Sequence, residues 1–119
     1  MSLIALFLFA LALPAQAADQ TKNPVAASAE SVASGGKLYG RYCAACHGKE
    51  GNGDGLGGAK LDPKPSNLTD GEWKHGSTDG EIFMVIHDGA KNTGMKAFGS
   101  RMTEHELWDL VNYIRTLKR

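Results

Sequence analysis

The chain has 119 residues, 13 of them basic and 13 acidic, so its formal net charge with neutral histidines is zero. That balance excludes the electrostatic footprint of a nucleic-acid or membrane-surface protein, and the length allows one small domain. A domain this small buries so little apolar surface that a disulfide, metal or cofactor commonly completes its core.

The first 17 residues, MSLIALFLFALALPAQA, contain Leu3 to Leu13, an unbroken apolar run of 11, then Pro14 and the small-x-small triplet Ala15-Gln16-Ala17. This is the pattern of a secretory signal peptide cleaved after Ala17. The run falls short of the ~18–20 apolar residues that span a bilayer, so no permanent membrane anchor is expected. A periplasmic protein follows from this reading. Residues 18–30, which include DQTKNPVAASAE, are polar, small and interrupted by Pro24, and read as a flexible N-terminal tail ahead of a domain over 31–119.

Three helical patterns follow, and no run of alternating strands, so the expected class is all-α. The first covers Ser31 to Tyr42, where Val32, Gly35/Gly36, Tyr39 and Tyr42/Cys43 recur at helical spacing. Three glycines weaken it, since each is about 1 kcal/mol worse than alanine in a helix, and they suggest another helix crossing closely at Gly35 or Gly36. The second covers Thr78 to His87: Thr78 and Glu81 have capping-box spacing, Ile82, Val85 and Ile86 form an apolar face, and Gly89 is placed to end it. In the third, Thr103 and Glu106 form another capping box, and Leu107, Leu110, Val111, Ile114 and Leu117 make one stripe. Arg115, Lys118 and Arg119 close it with positive charge, which suits the helix dipole. Between the first two patterns lie residues 48–77, glycine-rich and carrying Pro63 and Pro65. A loop this long is reasonable in a small domain if it wraps something large.

The only two cysteines stand in Tyr42-Cys43-Ala44-Ala45-Cys46-His47-Gly48. On a helical turn, Cys43, Cys46 and His47 project from one face. A disulfide between them would close a tiny loop and leave His47 unexplained. Zinc would want four ligands, yet His75, His87 and His105 are scattered singly. A thioredoxin-type dithiol expects a strand leading into a helix, which is absent. Cys-x-x-Cys-His is the signature of covalent haem c attachment, with Cys43 and Cys46 in thioether bonds and His47 as proximal iron ligand. One haem would also supply the missing core.

The second axial ligand is expected from Met84, Met95, Met102, His75, His87 or His105. Met95 sits in Asn92-Thr93-Gly94-Met95-Lys96-Ala97-Phe98-Gly99, a glycine-flanked loop able to bring a thioether to a metal, and His/Met is the standard c-type pair. Met84 lies inside the second helix and Met102 precedes a cap, where packing is the ordinary role. His87 is the second choice, and His75 and His105 read as surface residues.

With these residues placed, the chain from about Gly35 to Leu117 resembles the class I cytochromes c, close to the small soluble bacterial monohaem kind and to the cytochrome subunits of periplasmic dehydrogenases. The resemblance rests on Gly35-x-x-x-Tyr39-x-x-x-Cys43 leading into the haem motif, a loop methionine 48 residues after His47, and Leu110-Val111-Asn112-Tyr113-Ile114. It implies a cytochrome c fold in which Gly35 and Tyr39 meet Leu110 and Tyr113. It also implies a proline carbonyl, from Pro65 or else Pro63, accepting a hydrogen bond from His47. Leu68, Trp73 and Phe98 would line the haem, with the Trp73 indole reaching a propionate. Lys96 stands where the family has proline, which implies a looser methionine loop.

The function expected is periplasmic one-electron transfer between redox partner proteins by a monomer, without enzymatic chemistry. Lys49, Lys74, Lys91 and Lys96 are the candidate docking residues, and zero net charge leaves the sign of the partner open. The rival readings are an electron-transfer subunit of a larger oxidoreductase complex, with residues 19–30 as tether, and a haem enzyme opened by dissociation of Met95.

Overall fold

The computed structural model describes residues 22–119, and the expected signal peptide therefore lies outside the described residues, as do residues 18–21 of the expected tail. Its helices are α1 (Ala29–Tyr42), α2 (Ala44–His47), α3 (Asp79–Asp88) and α4 (Glu104–Arg115), with one 3-10 turn at Leu56–Gly58. No strand occurs among the described residues, in agreement with the all-α expectation.

Each long helix starts where side-chain chemistry satisfies its free backbone donors. Before α3, Thr78 Oγ1 accepts the Glu81 N–H at 3.1 Å and Glu81 Oε1 accepts the Thr78 N–H at 3.2 Å. Before α4, Thr103 and Glu106 repeat the exchange at 3.2 and 2.9 Å. The hydrogen bond from the Thr78 backbone holds the Glu81 carboxyl below its ordinary value. Its contribution is therefore present above the unfolded carboxylate pKa and is lost as pH falls through the lowered folded one. Replacing Thr103 with alanine removes one half of its box and should destabilise the fold by about 1 kcal/mol, read as a lower thermal midpoint. For α1 the cap is Ser28, whose Oγ accepts the Ser31 N–H at 3.1 Å, so the helix begins two residues earlier than Ser31.

The main packing is α1 across α4. A Cβ at Gly35 would overlap the Asp109 carbonyl and come within 2.8 Å of Tyr113 Cβ, so the helices cross in backbone contact there. The ring of Tyr39 tilts against Tyr113 with centroids 5.2 Å apart. Tyr113 thus meets both Gly35 and Tyr39, as the resemblance implied, with the backbone of Asp109 the nearest group to Gly35, and Leu110 is fully buried in the core with Val111. Leu117 falls beyond the end of α4 and packs half-buried against the same core. Trp108 stacks on Phe83 at 4.1 Å and joins α4 to α3.

Residues 23–28, expected as tail, lie against α4 in this structure, and Ala29 and Glu30 belong to α1. Asn112, buried on α4, donates from Nδ2 to Val25 O at 3.1 Å and to Ser31 Oγ at 2.9 Å, while its Oδ1 accepts from Asn23 Nδ2 at 2.7 Å. Ser31 Oγ in turn donates to Asp109 Oδ1 at 2.5 Å. One buried amide side chain thus satisfies backbone and side-chain groups of a segment that lacks an apolar pattern of its own.

Candidate functional site

Cys43 closes α1 and opens α2, and the His47 N–H donates to the Cys43 carbonyl at 2.9 Å. That single turn sets both cysteines and the histidine together. The loop after it is tied back by Gly53 N to His47 O at 2.7 Å, Gly55 N to Cys46 O at 3.1 Å and Leu68 N to Gly51 O at 2.7 Å. It thereby returns Ser66 to the histidine: His47 Nδ1 lies 3.0 Å from the Ser66 carbonyl oxygen. A carbonyl only accepts, so Nδ1 carries the proton and Nε2 is left with its lone pair.

Here the proline expectation is corrected. Neither Pro65 nor Pro63 supplies the acceptor. The Pro65 ring packs over Gly58, where a Cβ would collide with it, and its carbonyl faces Gly53, within 2.6 Å of where a Cβ would stand. The next carbonyl along, that of Ser66, is the one that reaches the imidazole.

Cys43, Cys46, His47, Pro65, Leu68, Trp73, Met95 and Phe98 all line one cavity of about 350 Å³. Met95 reaches its wall from the α3–α4 connection, whereas Met84 and Met102 pack against or within the core and are absent from that wall. His87 is also absent: its Nδ1 is 2.7 Å from Asp88 Oδ1 and its ring stacks on Phe83. His105 stands 3.6 Å from Asp109 on α4, away from the cavity, while exposed His75 does line it. The Arg115 guanidinium lies 5.4 Å from the Trp73 ring centroid, a cation–π contact that fixes this wall.

The cavity mouth is charged in a way that composition conceals. Five of the 13 basic residues line it, Arg41, Lys64, Lys74, Lys96 and Arg101, all exposed, against one of the 13 acidic residues, Glu72. Lys49 and Lys91, two of the expected docking residues, lie elsewhere. Among the described residues, basic side chains therefore outnumber acidic ones around the cavity although the chain as a whole is neutral.

The thiol chemistry fits anchoring rather than redox exchange. Cys43 and Cys46 are not joined to each other, and burial, with a lesser effect from the neighbouring Cys46, pushes the Cys43 thiol up to about 12. A free thiolate nucleophile at neutral pH is disfavoured by that environment. No cluster of three or more His, Cys, Asp or Glu suited to a metal ion occurs among the described residues. What does fit is a haem: a largely apolar cavity of cofactor size, two unpaired thiols and a tautomer-fixed imidazole on one wall, and a methionine on another segment of it.

Comparison with known proteins agrees. The family model described as "Cytochrome C oxidase, cbb3-type, subunit III" matches residues 30–114. The cbb3-type cytochrome c oxidase subunit FixP of Azorhizobium caulinodans is 34% identical over 83 residues, 70% of this chain and 26% of the relative, so the chain spans about a quarter of that relative's length. Among solved structures, the Kuenenia stuttgartiensis reducing HAO-like protein complex superposes with a TM-score of 0.74 at 28% identity, covering 81% of this chain and 47% of the other. The KustC0563 c-type cytochrome gives 0.60 at 32% identity, covering 71% of this chain and 98% of the other.

Proposed function

The chain belongs to the cbb3-type cytochrome c oxidase subunit III family, and on that premise we propose that it is a periplasmic monohaem cytochrome c that carries single electrons between redox proteins. Its cofactor is haem c, which supplies a one-electron iron couple when bound. The observation that carries the proposal is that His47, Met95 and the two cysteines all line one cavity.

Each residue then has a definite task. Cys43 and Cys46 would hold the cofactor as thioethers, each S–H adding across a vinyl double bond of the haem. His47 Nε2 would bind the iron, and the Ser66 carbonyl on Nδ1 fixes the ring and raises its basicity. Met95 would bind the iron from another wall, where a thioether favours the reduced state and raises the potential. Were both side chains to bind the iron, no open position would remain for a substrate, and the chain would act by outer-sphere transfer rather than as an enzyme. Leu68, Trp73 and Phe98 exclude water from the wall, which keeps the charge change in a low-dielectric surrounding. Voltammetry of the purified protein should show a reversible one-electron wave, with no carbon monoxide bound by the reduced form at neutral pH. Carbon monoxide binding or peroxide turnover by the native protein would support the enzyme reading instead.

The basic mouth supports a partner with an acidic docking face. Charge at a rim acts mainly on association rate, so Lys64→Glu with Lys96→Glu should slow oxidation of the reduced protein by anionic ferricyanide about tenfold at low salt. Oxidation by a cationic cobalt complex should accelerate, and both differences should shrink as salt is added.

A second reading, that the chain serves as a subunit inside an oxidoreductase complex, is favoured by the names of its relatives, an oxidase subunit and a component of an HAO-like complex. Size-exclusion of native extract separates the two readings: elution at the monomer position supports a carrier. An intact mass beginning at Ala18 would support export.

A further inference from the structure

We propose that Thr93 is the positioning residue that holds Met95 at the cavity wall, taking over the restraint that the family's proline supplies at the position occupied here by Lys96; this rests on Met95 being the distal ligand. Lys96 implied a loose methionine loop, yet the loop is closed on itself at several points. Thr93 Oγ1 donates to the Ala90 carbonyl at 2.6 Å and accepts the Met95 N–H at 3.1 Å. The same hydroxyl thus joins the first residue past Gly89 to the methionine itself. The Thr93 N–H also donates to Ala90 O at 3.2 Å, closing a turn in which Asn92 takes a φ of 61°, a conformation asparagine tolerates better than most residues.

The turn is anchored on both sides. The Ala90 N–H donates to Met95 O at 3.3 Å, and that oxygen lies within 2.8 Å of where a Cβ on Gly89 would stand, so the returning chain lies directly on the end of α3. Beyond it, Phe98 N donates to Ile86 O at 2.9 Å and Gly99 N to His87 O at 3.0 Å. Between these anchors the Met95 N–H has Thr93 Oγ1 as its acceptor. A proline restrains a chain through its ring; here one hydroxyl does so through two hydrogen bonds.

The test is the rate at which added imidazole displaces Met95 from ferric holoprotein, followed by loss of the methionine-to-iron charge-transfer band. Thr93→Val keeps the shape and removes both hydroxyl bonds, and should raise that rate about five- to tenfold, the effect of one to two modest hydrogen bonds. Thr93→Ser should restore the wild-type rate. Thr103→Val, which weakens the fold at the start of α4 without touching the loop, should leave it unchanged. A wild-type rate in Thr93→Val, or equal acceleration in Thr103→Val, overturns the proposal. The ligand reading is checked separately with Met95→Ala: a band that persists in this variant overturns both, whereas its loss together with an unaffected Thr93→Val overturns only the role of Thr93.

Discussion

Replacing Cys43 and Cys46 together by serine is expected to leave the chain without covalently held haem and without a stable fold. The two thiols stand on the wall of a cavity of about 350 Å³. At roughly 24 cal/mol per Å³, leaving that volume unfilled corresponds to about 8 kcal/mol, an upper bound because water enters through the open mouth. Small domains have only about 5–15 kcal/mol in total, so the loss is of the order of the whole stability. The serine variant should therefore show little helical circular dichroism and no haem retained on a denaturing gel. A variant that keeps the wild-type helix content with nothing bound would mean that the polypeptide packs its own core.

Two glycines of the same helix are expected to respond in opposite directions. At Gly35 an added Cβ overlaps the Asp109 carbonyl, whereas at Gly40 nothing lies within 4 Å of it. Intrinsic propensity favours alanine at both by about 1 kcal/mol. Gly40→Ala should therefore raise stability by about 1 kcal/mol, with a small rise in the thermal midpoint. Gly35→Ala must push α1 off the backbone of α4, and overpacking of that kind outweighs the propensity gain, giving a net loss of about 2–3 kcal/mol. Paired thermal melts of the ferric holoprotein read both. Stabilisation by Gly35→Ala would show that the two helices do not cross in backbone contact.

These glycines also show where sequence reading reached and where it stopped. The pattern placed a crossing at Gly35 or Gly36 because an otherwise weak helix needs a reason for its glycines, and both capping boxes were legible as spacings of Thr and Glu. The same holds for the haem motif, whose residue types carry their own chemistry, and for the placing of Met95 on the cavity wall. The acceptor on His47 was not legible at residue level, because any backbone carbonyl can serve and only the path of the loop selects Ser66 over Pro65. Nor was the docking of residues 23–28, which combines packing of Val25 on the core with hydrogen bonds from Asn112, far along the chain. Charge was the third gap: a net charge of zero conceals five basic residues gathered at one mouth, since Arg41, Lys64 and Arg101 converge there only through the fold.

The central claim is that one haem c is held between His47 and Met95, and the ferric absorption spectrum tests it most directly. The wild-type protein should show a low-spin haem with the methionine-to-iron charge-transfer band. Met95→Ala should lose that band, while Met84→Leu and Met102→Leu retain it. A high-spin wild-type spectrum, or a band that survives in Met95→Ala, would contradict the account.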